Sequence, residues 1–326
     1  MPLLRGPVRP ERLRWYVTET QDGVRGASRA AVVWWFRGRL SQHEDQVHGL
    51  LKALEKQCPL RIYAAPVVSF WKAWHFFLRR YYPAADLPDP DILIGAGRET
   101  HWAMLTARWV RGGRIVTLSK SYLPRWLFDL CIIPAYAGGR SSKRMIATRG
   151  ILPSPQAPLP KVAATGLIVI GGPSSQYRWS DDELIAQISE ILSRHPDYRW
   201  YLTTTPQTPA DTERRLQAFS AQNVFCIPHS ETDAKWLLGR IQDAEQVWLT
   251  EDNLFTIYKA LTAGAAVGVI PVPRRKPSKE ITALEGLVVF FPAWQAGMDL
   301  HEAQPPFNES ARCATEIYRR WLCNAV

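Results

Sequence analysis

Apolar and polar positions along this chain fall into short blocks whose period changes in a regular order. Ala31–Phe36 is a continuous apolar run of the kind buried on both faces of a sheet. Gln46–Gln57 instead sets Val47, Leu50, Leu51 and Leu54 at helical spacing. The exchange then repeats. A strand is expected over Arg61–Ala65, a helix over Phe70–Arg80, a strand at Ile92–Gly95, and a helix through Trp102, Leu105 and Trp109. Strands follow at Arg114–Leu118 and Leu130–Pro134. Strand and helix in turn predict a parallel sheet wrapped by helices.

Pro153, Pro155, Pro158 and Pro160 interrupt the rhythm, because such a segment can neither continue a helix nor enter a central strand. Beyond them strands are expected at Leu167–Ile170, Trp200–Thr203, Val224–Ile227, Gln246–Leu249, Val267–Ile270 and Val288–Phe291. Ser180 and Glu183 read as a capping box that opens a helix running to His195, with Asp181 and Asp182 at its positive end. Further helices are expected over Ala210–Gln222, from Thr232 and from about Phe255. Glu309–Cys323 is amphipathic, with Ala314, Ile317, Trp321 and Leu322 on one side. The division is therefore a tail over 1–29, a Rossmann-like domain over 30–152 and a Pro-rich linker over 153–160. A second Rossmann-like domain covers 161–309, and a C-terminal helix over 310–326 is expected to pack back on the first domain. This α/β layout, two Rossmann-like domains with a cleft between them, is the one called GT-B.

The composition agrees with a folded chain: 46 % of the 326 residues are hydrophobic and 21 % charged, so disorder is excluded. No apolar run approaches the roughly 18–20 residues that span a bilayer. Arginines and prolines break up Met1–Arg14, which lacks the apolar centre of a signal peptide. These features predict a cytoplasmic protein. The five cysteines show no Cys-x-x-Cys spacing and suit a reducing compartment.

Charge changes the picture further. The net charge is +10, but residues 1–150 hold 24 Lys/Arg against 11 Asp/Glu, while the remainder holds 16 against 19. A basic half implies an anionic partner. Eight of the 14 tryptophans fall in that half as well, and Trp with Lys/Arg favours a membrane–water interface. No zinc-finger, helix-turn-helix or RNA-binding signature is present, so no nucleic acid is expected. Within 70–82, Phe70, Trp74, Phe77 and Tyr81 share one helical face, and Lys72, His75 and Arg79 another. Two readings stand: a core helix with a solvated stripe, or a helix that docks on an anionic membrane surface, peripheral on its inner face.

Ligands of doubly wound sheets bind beyond the carboxyl ends of the strands. The first such loop in the second half is Gly171-Gly172-Pro173-Ser174, whose amides can approach phosphate and whose Ser174 adds a hydroxyl. Its bland reading is a tight turn. Thr204 and Thr205 follow the next strand, with ordinary loop capping as their alternative. Glu251, Asp252 and Asn253 follow Thr250 and enter a helix, where side chains and amides suit an anion or a sugar. Plain N-capping would also place them there. Arg274, Arg275, Lys276 and Lys279 form a basic run that reads as a diphosphate clamp or as a solvated loop. In the first half, His43, Glu44 and Asp45 lie in the densest polar loop and are the candidates for a general base. A second polar loop is Gly95–His101. Asp89-Pro90-Asp91 matches the Asp-x-Asp of metal-dependent transferases but precedes its strand, on the wrong edge of the sheet. No metal and no cofactor are expected.

The chain resembles the elongated-mitochondria (mitochondrial fission) family, whose bacterial members are similar to GT-B glycosyltransferases. The resemblance spans about 30–325. It rests on the ordered run Arg39–Gln46, Pro90–Arg98, Phe128-Asp129-Leu130, Thr148-Arg149-Gly150, Gly171-Gly172-Pro173-Ser174 and Thr250-Glu251-Asp252-Asn253. It implies a nucleotide-sugar donor in the second domain and an acceptor in the first. The chain departs from the family pattern at Thr204–Pro209, which lacks the usual arginines. It departs again at Asn253 and Phe255, which replace serines, and at Lys259, where an acid that holds the donor ribose is expected. The leading expectation is an inverting, metal-independent glycosyltransferase acting on a nucleotide-diphosphate sugar and a lipid-linked or envelope acceptor. A non-catalytic GT-B scaffold at a membrane and a nucleotide-sugar epimerase or hydrolase are the alternatives.

Overall fold

The computed structural model describes residues 18–19, 29–38, 40–84, 86–118, 120–154, 159–301 and 307–323. Most of the expected tail and the centre of the Pro-rich linker lie outside them. Within the tail, the backbone of β1 (Thr18–Glu19) pairs antiparallel with the second long strand of the chain.

The first half is built from β2 (Ala31–Phe36), α1 (Ser41–Glu55), β3 (Leu60–Ala65), α2 (Phe70–Leu78), β4 (Ile92–Gly95), α3 (His101–Arg111), β5 (Arg114–Thr117), β6 (Leu130–Pro134) and β7 (Met145–Thr148). Its strands run in the order β1-β3-β2-β4-β5-β6-β7, parallel apart from β1. Successive side chains of a strand point to opposite faces. Val33, Ile92, Ile94 and Val116 therefore meet Val47, Leu50 and Leu54 of α1, while Val32, Trp34, Phe36 and Leu93 meet Ala73, Ala103 and Met104 of α2 and α3.

The second half contains β8 (Val162–Val169), α4 (Asp181–Arg194), β9 (Arg199–Thr203), α5 (Ala210–Gln217), β10 (Val224–Ile227), α6 (Ala234–Asp243), β11 (Ala244–Thr250), α7 (Leu254–Thr262), β12 (Ala266–Ile270), α8 (Lys279–Thr282), β13 (Val289–Phe290) and α9 (Phe291–Gln295). Its sheet is wholly parallel, in the order β10-β9-β8-β11-β12-β13. Two fully buried indoles lie across it, and each needs a glycine on the adjacent strand. A Cβ on Gly166 would stand 2.2 Å from the Trp200 ring, and one on Gly268 2.4 Å from that of Trp248. The final helix, α10 (Glu309–Ile317), continues as a π-helical turn over Tyr318–Leu322. It returns to the first domain, where Cys313, Ala314, Ile317 and Leu322 join the core under α1. The expected GT-B arrangement of two Rossmann-like domains is thus the architecture, with the C-terminal helix packed on the first.

Local expectations needed adjustment in several places, among them the last strand, which gives way at Phe291 to α9, a helix that like α8 was not expected. The strand β7 had no counterpart in the sequence reading, because four residues between polar loops carry no period. The helix expected to reach Gln222 ends at Gln217. Ser180 does occupy the N-cap of α4, but its side chain makes no cap hydrogen bond, so the capping box is not formed; Asp233 and Asn308 supply such bonds to α6 and α10 instead. Finally, α2 is not a core helix, since Ala73 is its one buried residue.

In the first sheet the strand order reverses between β2 and β4, and in the second between β8 and β11. Diverging loops leave a crevice at such a point, and the expected polar loops lie there in both domains.

Candidate functional site

At the switch point of the second domain, Gly171 and Gly172 lie against the loop that follows β11. The Gly171 amide donates to Thr250 Oγ1 at 2.8 Å and the Gly172 amide to Asp252 Oδ2 at 3.0 Å. Both amides expected to meet phosphate are thus engaged within the protein. The glycines are required by crowding: a Cβ at Gly171 would collide with the Asp252 carboxylate, and one at Gly172 with the Gln207 carbonyl. Ser174 folds its hydroxyl back to accept the amides of Gln176 and Tyr177 at 3.1 and 3.3 Å.

The acidic loop is buried. Glu251 is 1 % exposed, its Oε1 stands 2.9 Å from Arg274 Nε, and the Tyr177 hydroxyl bonds to it. Burial raises the pKa of both Glu251 and Asp252; Arg274 pulls back on the first, and Thr250 and the Gly172 amide on the second. Asp252 Oδ1 is buried with no hydrogen-bond partner among the described residues. Asn253 stands at the N-cap of α7, where its Nδ2 donates to Thr250 Oγ1 at 3.1 Å rather than its oxygen capping the helix. One turn further on, Tyr258 is fully buried against Gly150 and Phe307, and its Oη also lacks a hydrogen-bond partner among the described residues. This part of the crevice is rich in acceptors and suits the hydroxyls of a sugar better than the oxygens of a phosphate.

Thr204 and Thr205 follow β9. Thr204 Oγ1 donates to Glu213 Oε1 at 2.5 Å, accepts the His229 amide at 3.0 Å, and lies 3.4 Å from His229 Nδ1. His229 Nδ1 in turn stands 3.2 Å from Glu213 Oε1. The Thr205 amide donates to Thr208 Oγ1, which itself reaches the Gly171 carbonyl at 2.7 Å. Thr208 thereby ties the loop after β9 to the glycine turn. Arg275 and Lys279 are exposed beyond β12, Arg275 through a backbone bond to Gln176 and Lys279 as the first residue of α8.

In the first domain the three candidate bases fare differently. Glu44 accepts Arg37 Nε at 2.8 Å and the Gly38 amide at 2.6 Å, so it closes the loop after β2. Asp45 Oδ2 faces Lys259 Nζ of the other domain at 3.8 Å. Lys259 also sits over the Phe255 ring at 4.5 Å, so the two departures from the family pattern contact each other. His43 is half-buried, and its Nδ1 has no hydrogen-bond partner among the described residues. Arg37, Ser69, Phe70, Arg98, Glu99 and Trp102 line a polar pocket of about 620 Å³ at the switch point of this sheet. His101, from the same loop, is fully buried between Thr117 and the rings of Tyr122 and Phe128, and burial lowers its pKa to about 4. Asp91 and Asp89 have structural partners at the opposite edge, the Val32 amide and Arg111 respectively.

Several site residues escaped the sequence reading. Tyr258 had no signal, because its partner is the bare Cα of Gly150, within reach only after folding. Tyr177 was equally silent. His229 follows β10 directly, so the rule that selected the other loops would have found it. Among the described residues, no group of three or more His, Cys, Asp or Glu side chains is placed to hold a metal ion, and no helix is long and apolar enough to cross a membrane.

Against known proteins, the profile of the family described as mitochondrial fission ELM1 matches residues 43–321. No curated protein matches the sequence. Among solved structures, a Listeria monocytogenes protein assigned as a UDP-N-acetylglucosamine 2-epimerase superposes with a TM-score of 0.58 at 13 % identity, covering 89 % of this chain and 95 % of that one. Staphylococcus aureus MnaA, solved with UDP, gives 0.52 at 12 % identity over 91 % and 98 %. The UDP-GlcNAc 2-epimerase of Neisseria meningitidis, bound to UDP-GlcNAc, gives 0.52 at 10 % identity over 89 % and 100 %. At such identities the likeness is one of fold.

Proposed function

This chain belongs to the mitochondrial fission ELM1 family, and from that premise we propose that it is an inverting, metal-independent glycosyltransferase. It would take a nucleotide-diphosphate sugar in the second domain and pass the sugar to a lipid-linked or cell-envelope acceptor in the first. One observation carries the reading: the polar loops at the two switch points belong to one cleft, bridged by Asp45 and Lys259. The solved proteins of this fold named above include two with UDP or UDP-GlcNAc bound, which supports a nucleotide-sugar ligand.

The residues divide by chemistry. Asp252 Oδ1 and Tyr258 Oη, buried and without a partner among the described residues, would bond hydroxyls of the donor. Arg275 and Lys279, with the amides at the start of α7, would meet the diphosphate and stabilise its charge as it leaves. In an inverting transfer the acceptor oxygen attacks the anomeric carbon, the bond to the diphosphate breaks, and a base takes the acceptor proton. Glu44 is held by Arg37 and Gly38, and Asp45 by Lys259, so His43 is the base favoured of the three. A positioned base contributes about 10²–10⁴ in rate. Leading outward from the pocket that its first residue Phe70 lines, the aromatic and basic α2 would rest on an anionic membrane surface.

Thermal denaturation with UDP, GDP, ADP and TDP at millimolar concentration tests the donor site. One nucleotide should raise the melting temperature, by a stabilisation of about 2.7 kcal/mol at a hundredfold excess over its Kd. A flat response to all four would end the transferase reading. Lys259, stacked on Phe255 and facing Asp45 where the family pattern has an acid, favours a second reading, a scaffold that keeps the frame without turnover. Nucleotide binding with no sugar transfer to any extract would support it. Free or epimerised sugar formed without acceptor would instead favour an epimerase or hydrolase.

A further inference from the structure

We propose that the first domain holds a single-chain amphiphile with a phosphate-bearing head, the head in the polar pocket and the chain in an adjoining aromatic groove. The proposal rests on the transferase reading only in calling this amphiphile the acceptor. The groove, of about 440 Å³, lies between α2, α3 and the turn at Arg125–Leu127, with Ala73, Trp102 and Leu105 among its lining residues and Trp74, Trp109 and Trp126 as exposed borders. Trp102 lines both cavities, so the two adjoin at its ring. Phe70 packs edge-on against Trp102 at 4.9 Å on the polar side. Trp74 stacks on Phe77 at 5.8 Å, and Phe77 lies 4.9 Å from Trp109, on the apolar side. Two groups of rings, Phe70 with Trp102 and Trp74 with Phe77 and Trp109, thus line the way from the carboxyl ends of β2 and β4 outward along α2.

Charge selects the occupant. The segments 66–84, 98–111 and 120–128, which carry the lining, hold Lys72, Arg79, Arg80, Arg98, Arg108, Arg111, Lys120 and Arg125 against the single acid Glu99. At the inner end Arg37 and Arg98 line the polar pocket, Arg98 over the ring of Tyr122. At the outer end Arg80 sits over Trp109. Asp129 pairs with Arg108, Asp89 with Arg111 and Glu44 with Arg37, yet the cations still outnumber the acids; an apolar peptide or a neutral lipid would leave that excess uncompensated, whereas a phosphate head beside Arg98 answers it. The chain then fills apolar volume that is otherwise wet, a gain proportional to its length. Exposed tryptophans along the border suit a groove that loads from a bilayer surface, because an indole is stable at that depth.

Alkyl phosphates of eight to sixteen carbons, kept below their critical micelle concentrations, test this on the full chain by tryptophan fluorescence and calorimetry. Affinity should rise about fourfold per methylene until the groove is full. Trp74→Ala with Trp126→Ala, both at exposed positions, should weaken the long chains at least tenfold and leave octyl phosphate nearly unchanged. Arg98→Ala should weaken every chain length alike. Affinity indifferent to chain length, or unmoved by the paired tryptophan substitutions, overturns the proposal. So does binding to anionic vesicles without binding of monomeric alkyl phosphate, which would make this a membrane-docking face only. A dimer that forms through the groove and excludes alkyl phosphate overturns it too. The nucleotide melting shift, read on the same preparations, is independent: its absence removes the transferase reading and leaves the amphiphile site standing.

Discussion

Lys259 Nζ on α7 lies 3.8 Å from Asp45 Oδ2 on α1, and this pair joins the two domains across the cleft. Both side chains are partly exposed, so the pair contributes at most about 1 kcal/mol to stability. Its effect should fall on closure instead. Lys259→Glu sets two like charges face to face and should raise the radius of gyration in solution scattering, with the melting temperature nearly constant. Asp45→Lys combined with Lys259→Glu should restore the compact form. Scattering curves that coincide for all three proteins would remove the pair as a closing contact.

His101 should dominate the acid limb of stability. Its folded pKa of about 4 lies below the ordinary 6.5, so the unfolded chain binds a proton that the folded one refuses. The contribution is complete above pH 6.5 and is lost as pH falls towards 4, by roughly 3 kcal/mol in all. His101→Gln should flatten urea midpoints between pH 4 and 6.5, and a wild-type profile already flat there would refute the assignment.

Asp252 carries the opposite sign. Burial holds its pKa above the usual value, so its contribution is present at pH below the ordinary carboxylate range and lost as pH rises through the folded value. Asp252→Asn retains an acceptor for the Gly172 amide and removes the buried charge. The variant should be more stable than the wild type at pH 7, with the gain vanishing near pH 4. Donor affinity should fall in the same variant if Asp252 Oδ1 bonds a sugar hydroxyl.

The glycine turn makes a steric prediction. Gly172→Ala drives a Cβ against the Gln207 carbonyl, with no flexible side chain to yield, and should cost on the order of 1–3 kcal/mol. Gly239→Ala in α6, where no described residue lies within 4 Å of the new methyl, should stabilise by about 0.5–1 kcal/mol. Equal effects at the two positions would mean that crowding does not explain Gly172.

Membrane association is testable by vesicle sedimentation. Arg79 is exposed at the end of α2 beside exposed Trp71, Trp74 and Leu78. Binding to anionic vesicles should weaken with salt and with Arg79→Glu, while zwitterionic vesicles bind little. Binding indifferent to both changes would exclude an electrostatic contribution.

The sequence by itself determined the alternation of strand and helix, the two sheets and the loops that meet at their switch points. Those follow from periodicity, which is local, and from the handedness of parallel connections, which is general. Gly171-Gly172 and Thr250–Asn253 were legible for that reason. What those residues do was not legible. The glycine amides serve Thr250 and Asp252 some eighty residues on, Lys259 reaches Asp45 in the other domain, and Glu44 turns back on Arg37 and Gly38 of its own loop. The same holds for α2. Its aromatic spacing allowed either a core helix or a surface one, and only packing decided, by burying Ala73 and leaving the tryptophans outside. Hydrogen-bond partners and burial depend on which segments meet in space, and that information is in no window of the chain short enough to show a period.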